Sequence, residues 1–429
     1  MKVAFYTLGC KVNQYETQAL EQMLSQRGHE LVPFEGSADA YVINTCTVTA
    51  VSDKKSRQVI RRIRKDQPDA VVAVCGCYPQ THPDDMGALS VDLVSGTGDR
   101  TGFVELLEQT WQQRQPVTAL DDAMKRRIFE SLPAGGLEGR TRAMLKVEDG
   151  CVNFCTYCII PFARGPVRSQ PLSAAVEQAR QLAQQGYREL VITGIEISSW
   201  GKEFKDGSSL IDLLESVCTA VPQCRIRLGS LEPRTITRDF CTRAARLPNL
   251  CPHFHLSMQS GCDSVLKRMN RKYDCERYYE SVCLLREFFD SPGITTDLIV
   301  GFPGETEEEF VQTLDFIQKC AFTAMHIFPY SKRPGTPAAA MPDQILNAEK
   351  EMRARRANAV AVEMEQRYVD SFVGKQIEVL FEEEKNGLWR GYTTRYVEVW
   401  VESEQPLHNQ PRMVEITGTQ GASLLGKLI

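Results

Sequence analysis

A chain of 429 residues, 42% hydrophobic and 24% charged, has the composition of an ordinary globular protein with room for two or three cores. Its net charge of −5 excludes a wholly basic nucleic-acid binder, and no apolar run is long enough to span a bilayer. The run Val3-Ala4-Phe5-Tyr6 is interrupted by Gly9 and Cys10, unlike a signal-peptide core, so a cytoplasmic protein without membrane partners is expected. Fifteen cysteines in a reducing compartment are then ligands or small buried hydrophobes rather than disulfides.

Residues 1–115 alternate strand and helix signals. Strands are predicted at Val3–Leu8, Tyr41–Asn44, Ala70–Val74 and Val91–Val94, with helices at Tyr15–Arg27, Ser52–Lys65 and Phe103–Gln113. Such alternation implies a parallel sheet covered by helices. Cys10, Cys46 and Cys77 each fall just past the carboxyl end of a strand, the edge where open α/β sheets build sites. Cys75 lies too close to its strand and reads as packing. Taken singly, each of the three is better explained by burial in a core than as a ligand.

Residues 116–138 read as a charged, glycine-containing linker. Between 139 and 366, strands are predicted at Met144–Glu148, Leu190–Thr193, Arg225–Leu228, His253–Met258, Thr296–Val300 and His326–Phe328, with helices such as Ala174–Gln185 and Glu307–Cys320 between them. Repeated strand–helix units suggest a parallel barrel, or an open part of one, whose site lies after the strands. Residues 367–429 turn β-rich, at Gln376–Phe381, Trp389–Arg395, Tyr396–Val401 and Met413–Thr417, and suggest a small antiparallel barrel. The fold class is therefore α/β with a terminal β-barrel.

Cys151, Cys155 and Cys158 are spaced CxxxCxxC immediately after the first of the six strands. Three thiolates hold three irons of a four-iron cluster and leave the fourth open to a chelator. A structural zinc site asks for a fourth nearby ligand, which the local sequence lacks. One buried helix face fits the same spacing, but Gly150 and Pro161 favour a short loop. The loop resembles the signature of the radical S-adenosylmethionine superfamily, with Tyr157 as the aromatic residue before the last cysteine. That resemblance implies a 4Fe-4S cluster whose open iron takes the methionyl amino and carboxylate groups, and reductive cleavage to a 5′-deoxyadenosyl radical.

The segments Thr7–Thr17, Asn44-Thr45-Cys46 and Cys75-Gly76-Cys77-Tyr78-Pro79-Gln80 are similar to the amino-terminal part of the methylthiotransferases. The similarity continues through Gly150–Pro161, His255–Gly261 and Asp297–Thr306, and the last block resembles the RNA-binding TRAM barrel. Within that family, Cys-Lys-Val-Asn-Gln-Tyr-Glu-Thr and Asn-Thr-Cys-Thr-Val-Thr resemble the branch acting on threonylcarbamoyladenosine of tRNA. The resemblance implies a second 4Fe-4S cluster on Cys10, Cys46 and Cys77, the tRNA anticodon stem-loop as partner, and a flavodoxin- or ferredoxin-type electron donor. It further implies a 2-methylthio product, with one S-adenosylmethionine methylating sulfur and another initiating the radical. Sister branches act on isopentenyladenosine tRNA or a ribosomal protein. A non-catalytic iron–sulfur carrier or redox sensor is the rival of another class.

Further cofactor contacts are expected at Tyr157, Gly194, Glu196, Ser230, Glu232, Gln259, Gly301 and Phe302. Gly194-Ile195-Glu196 departs from the superfamily's usual pair of glycines, yet its carboxylate suits an ammonium. His255 and Gln259, if on one extended strand, share a face. Gly301-Phe302-Pro303-Gly304 forms a turn toward the cofactor or only a helix entrance, since Thr306 and Glu309 fit a capping box. Arg164 and Arg168 are candidate anion contacts with salt bridging as the alternative. The basic helix Lys54–Lys65, and Trp389, Tyr392 and Arg395, are candidate RNA contacts. The last block carries seven Lys/Arg against nine Asp/Glu, which does not itself favour RNA.

Overall fold

Among the residues described by the computed structural model, 1–135 and 141–429, the chain builds two parallel sheet systems and one closed barrel. Gly136, with part of the expected 116–138 linker, lies outside the described residues.

The first sheet contains β1 (Lys2–Thr7), β2 (Glu30–Val32), β3 (Ala40–Thr45), β4 (Val71–Gly76), β5 (Leu93–Ser95) and β6 (Val117–Ala119). All its pairings are parallel, in the order β2-β1-β3-β4-β5-β6. β3 and β4 are buried along their whole length, which is why they read as nearly continuous apolar runs. One apolar cluster fills each face, around Ile60 and Tyr78 on one side and Leu20 and Phe103 on the other. The short strands β2 and β6 carry too little periodicity to be seen in sequence. β6 also takes this sheet past the expected boundary at residue 115.

The second system contains β7 (Arg142–Lys146), β10 (Glu189–Thr193), β11 (Arg225–Leu228), β12 (Ser230–Leu231), β13 (His253–Leu256), β14 (Gly293–Val300) and β15 (Ala324–Pro329), while β8 (Glu148–Asp149) and β9 (Arg168–Ser169) form a separate antiparallel pair. β7-β10-β11 and β12-β13-β14-β15 are consecutive stretches of one parallel wall, broken at Gly229 between β11 and β12. Counting β11 and β12 as one interrupted strand, this is the expected open six-stranded barrel. Leu145, Leu190, Ile192, Ile226, Leu228, Phe254, Leu256, Ile294 and Leu298 pack outward beneath the helices. Their alternates, including Arg142, Lys146, Glu189, Arg227, His255 and Asp297, occupy the inner face. The expected capping box at Thr306 and Glu309 is present, at the start of the Glu307–Cys320 helix.

The terminal barrel closes in the order β16-β17-β18-β20-β19, from β16 (Gln376–Lys385), β17 (Leu388–Thr393), β18 (Glu398–Glu402), β19 (Pro411–Gln420) and β20 (Ser423–Leu428). β20 escaped the sequence reading, and it pairs parallel with β18, so the barrel is not wholly antiparallel. The turn after β17 sits on the amino end of the six-stranded wall. There Arg227 donates to the Thr394 carbonyl at 2.9 Å, and the Arg142 and Arg227 guanidiniums lie 5.3 and 4.8 Å from the Tyr396 ring centre. No helix among the described residues is long and apolar enough to cross a membrane.

Candidate active site

Thr7 is in register with Asn44, and Thr45 with Gly76, so β1, β3 and β4 end side by side. Cys10, Cys46 and Cys77 follow those three ends. Cys10 caps the Lys11–Gln26 helix, which starts earlier than the predicted Tyr15, and Cys77 opens the short Cys77–Thr81 helix. A Cβ on Gly9 would lie 3.3 Å from the Cys46 sulfur, so a bare glycine lets the two cysteine segments touch. Burial pushes the Cys77 thiol up to about 12; Arg164 opposes that rise, and the neighbouring Cys46 and Cys10 add to it. Cys75 is fully buried in the strand, as its packing role requires.

Gly76 shows how tightly this edge is made. Its φ is +100°, and an added Cβ would collide with the Thr45 carbonyl. Gly76→Ala is expected to destabilise the protein by about 1–3 kcal/mol through backbone strain, read by thermal melting.

The second trio occupies a loop, not a helix face: residues 150–158 carry no regular secondary structure. Its backbone is pinned by Cys151 N–H to the Gly165 carbonyl (3.0 Å), Thr156 N–H to Met269 (3.0 Å) and Cys158 N–H to Cys155 (2.9 Å). Gly150 has φ +94° and packs its bare α-carbon against Pro166. Arg271 donates to the Cys155 sulfur at 3.3 Å. Burial raises Cys151 and Cys158 to about 12, Cys155 adds to both rises, and Cys158 adds to that of Cys151. Among the described residues no three His, Cys, Asp or Glu side chains already hold metal-ligating geometry. The backbone thus brings the segments of each trio together without setting the thiols in ligating geometry. Three soft thiols on a pinned loop suit an iron–sulfur cluster by donor chemistry.

Glu196 lies beside this loop, close enough for its charge to act on Cys151. Its Oε2 accepts from Ser199 Oγ, whereas its buried Oε1 has no partner. Burial raises its carboxyl above the ordinary value. An unpartnered buried acceptor next to the loop fits a cationic ligand group. Glu148 is a residue the sequence reading passed over. It is fully buried, its Oε2 accepts the Glu196 N–H at 2.7 Å, and a Cβ on Gly194 would sit 2.7 Å from that oxygen. Gly194 thus makes room for Glu148 to hold the turn. The only sequence signal was a carboxylate just before Asp149-Gly150.

Tyr157 packs on the cluster formed by Phe302, Tyr330, Val265 and Met269. Other expected contacts are placed differently. Ser230 is exposed, and Glu232 is paired with Arg234 at 2.8 Å. The Gly301 N–H is taken by Glu305 Oε1 at 2.9 Å, and Phe302 is fully buried. That turn serves the helix entrance and the core. His255 and Gln259 do not share a strand face, because β13 stops at Leu256 and Gln259 has φ +69°. His255 instead meets Asp297 at 3.2 Å.

Arg164 and Arg168 are buried ion-pair partners, not free anion contacts. Trp389 is in the barrel core, Tyr392 stacks on Tyr396, and Arg395 donates to the Ser291 and Asp290 carbonyls. Of the candidate RNA contacts, Lys54, Lys55, Arg61, Arg62 and Lys65 remain exposed on the Ala50–Asp66 helix.

Comparison with known proteins places these features in one family. Residues 2–96 match the family described as Uncharacterized protein family UPF0004, and residues 145–317 match the Radical SAM superfamily. The chain is 44% identical to the threonylcarbamoyladenosine tRNA methylthiotransferase MtaB of Bacillus subtilis (strain 168), over 92% of this chain and 89% of that protein. It is 38% identical to the MtaB of Thermotoga maritima, over 92% and 90%. A tRNA-2-methylthio-N(6)-dimethylallyladenosine synthase of Acetivibrio thermocellus is 35% identical, over 88% and 79%. Among solved structures, the radical S-adenosylmethionine methyltransferase TsrM of Kitasatospora setae superposes with a TM-score of 0.57 at 16% identity, covering 79% of this chain and 75% of that one, a likeness of fold. A parallel sheet ending in three cysteines, a CxxxCxxC loop on an open six-stranded barrel, and relatives matched over most of their length agree. The chain belongs to the radical S-adenosylmethionine methylthiotransferase family.

Proposed function

We propose that this enzyme converts N6-threonylcarbamoyladenosine, beside the anticodon of tRNA, to its 2-methylthio derivative. The observation that carries the substrate is the 44% identity over 92% of the chain to a protein named for that activity. The chemistry is supported by the two thiol trios, one past the ends of adjacent strands and one on a pinned loop. In this reading Cys151, Cys155 and Cys158 hold a 4Fe-4S cluster, and Cys10, Cys46 and Cys77 hold a second. A cluster on Cys151, Cys155 and Cys158 would supply the electron for reductive cleavage of S-adenosylmethionine, the source of the carbon radical that an unactivated adenine C–H demands.

The chain's own residues supply binding and order. The free Oε1 of Glu196 accepts the methionyl ammonium, Glu148 holds that turn, and Arg271 fixes the orientation of Cys155. Tyr157 closes the loop against the Phe302 cluster and excludes water from it. We further assign residues 1–119 to the auxiliary-cluster unit, 139–366 to the radical core and 367–429 to a TRAM-like barrel. A flavodoxin- or ferredoxin-type donor and a cytoplasmic location complete the reading. The exposed basic helix is the favoured RNA contact, since the barrel's aromatic and arginine candidates are already engaged within the fold.

Nucleoside mass spectrometry of tRNA from a strain lacking the gene tests the substrate. The expected result is loss of methylthio-threonylcarbamoyladenosine with accumulation of the unthiolated nucleoside. Loss of methylthio-isopentenyladenosine instead would overturn the assignment.

A further inference from the structure

Between the two thiol trios lies a buried group of charges that the proposed reaction leaves unused. Glu16, on the helix that Cys10 caps, pairs with Arg164, with Arg100 at 2.8 Å and with Lys146 at 3.0 Å. Asp149, just before the Cys151 loop, pairs with Lys146 at 2.8 Å, Arg164 at 3.4 Å and Arg168 at 3.5 Å. None of the six side chains is more than 8% exposed.

The network also reaches the first trio. Arg164 Nη2 donates to Asn13 Oδ1 at 2.6 Å, and that oxygen lies 4.0 Å from the Cys10 sulfur. Asn13 Nδ2 donates to the Leu8 and Thr45 carbonyls at 2.8 and 2.9 Å, on the segments that lead into Cys10 and Cys46. Arg164 also acts electrostatically on the Cys77 thiol.

Charge does not balance within the network. Arg100, Lys146, Arg164 and Arg168 give +4, while Glu16 and Asp149 give −2. Glu130, whose Oε1 accepts the Arg100 N–H, would still leave +1 if ionised, and the buried Glu148 near Lys146 and Asp149 is driven toward its neutral form by burial. Surplus buried charge is costly unless an opposite charge lies close by. Thiolates at Cys10, Cys46 and Cys77 would supply it.

We propose that this network is the electrostatic counterpart of a cluster on Cys10, Cys46 and Cys77, and that Arg164 is a positioning residue that raises the cluster's reduction potential. The inference rests on reading that trio as a cluster site. One-electron reduction adds a negative charge to a cluster, and a cation held nearby in a low-dielectric interior favours the reduced state.

The test is an anaerobic dithionite titration, followed by electron paramagnetic resonance, of the full chain in a Cys155→Ala background that leaves the first trio as the loaded site. Arg164→Gln is expected to lower the midpoint potential, Arg164→Lys to leave it near the parent, and Glu16→Gln to raise it. Asp149→Asn repeats the raising arm should Glu16→Gln fail to fold, as checked by circular dichroism. A network that only holds the fold gives no such opposition of sign. Unmoved potentials, shifts of the same sign in the glutamine variants, or equal effects of Arg164→Gln and Arg164→Lys overturn the inference. A folded Cys155→Ala parent without iron overturns the cluster reading itself.

Discussion

Cys155→Ala is expected to reduce 5′-deoxyadenosine formation to the level of a protein-free control. Cys155 is buried in the pinned loop, receives the Arg271 hydrogen bond, and stands between the other two thiols in sequence. Two thiolates cannot replace the three-thiolate set that leaves one iron open to the cofactor. The variant should keep its fold, since the loop is also pinned by backbone hydrogen bonds that do not use the Cys155 side chain, and retain about half of the parent's iron if each cluster loads separately. Anaerobic reconstitution, iron analysis and chromatography of the dithionite-driven reaction measure both quantities. Cys46→Ala provides the contrast, losing thiolation while still cleaving the cofactor. Cys218→Ala, which alters a buried thiol in the barrel core, should retain both activities. Continued deoxyadenosine formation in a folded Cys155→Ala variant would remove the loop from the mechanism.

Glu189→Gln carries the largest expected loss of stability, about 3–5 kcal/mol for breaking a buried charge set by removing one partner. Glu189 is fully buried at the start of β10 and accepts from Arg225 at 2.7 Å and Arg227 at 2.6 Å. Burial alone would raise its carboxyl pKa; Arg227, Arg225 and Arg142 overcome burial and hold it at about 2. Because the folded value is depressed below the ordinary 4.5, this contribution is present above pH 4.5 and is lost as pH falls toward 2. The shift corresponds to about 3 kcal/mol. Urea unfolding at neutral pH and along an acid series reads both effects. The variant should be weaker at neutral pH and show a flatter decline in acid. An unchanged neutral midpoint would show that these guanidiniums find other partners.

The ion group around Glu189 also explains why inner-face positions of the barrel were hard to read. Arg142, Glu189, Arg225 and Arg227 look like solvated charges in sequence, yet Glu189 and Arg227 are buried where the terminal barrel meets the wall. The contact depends on a turn at residues 393–397, far away in the chain. No local pattern announces it. The same reason governs Arg164, whose partners Glu16 and Asn13 belong to the first sheet's helix. Tyr392 and Arg395 resembled RNA-facing groups and are instead used against the radical barrel.

By itself the sequence determined the α/β class, the six core strands and the cysteine positions. Apolar alternation, glycine at the loop entrances and thiol spacing are local properties, and each survives without knowledge of the fold. It also placed Cys151, Cys155 and Cys158 in a short loop, because Gly150 and Pro161 limit helix there. Only tertiary structure set the ends of β1, β3 and β4 side by side, bringing together cysteines that lie far apart in the chain. Tertiary structure likewise bent the chain at Gln259, whose N–H reaches the Asp297 carbonyl, and buried cationic charge beside the cysteine segments. Those outcomes depend on strand register and long-range pairing, whose energies come from contacts no single segment makes alone.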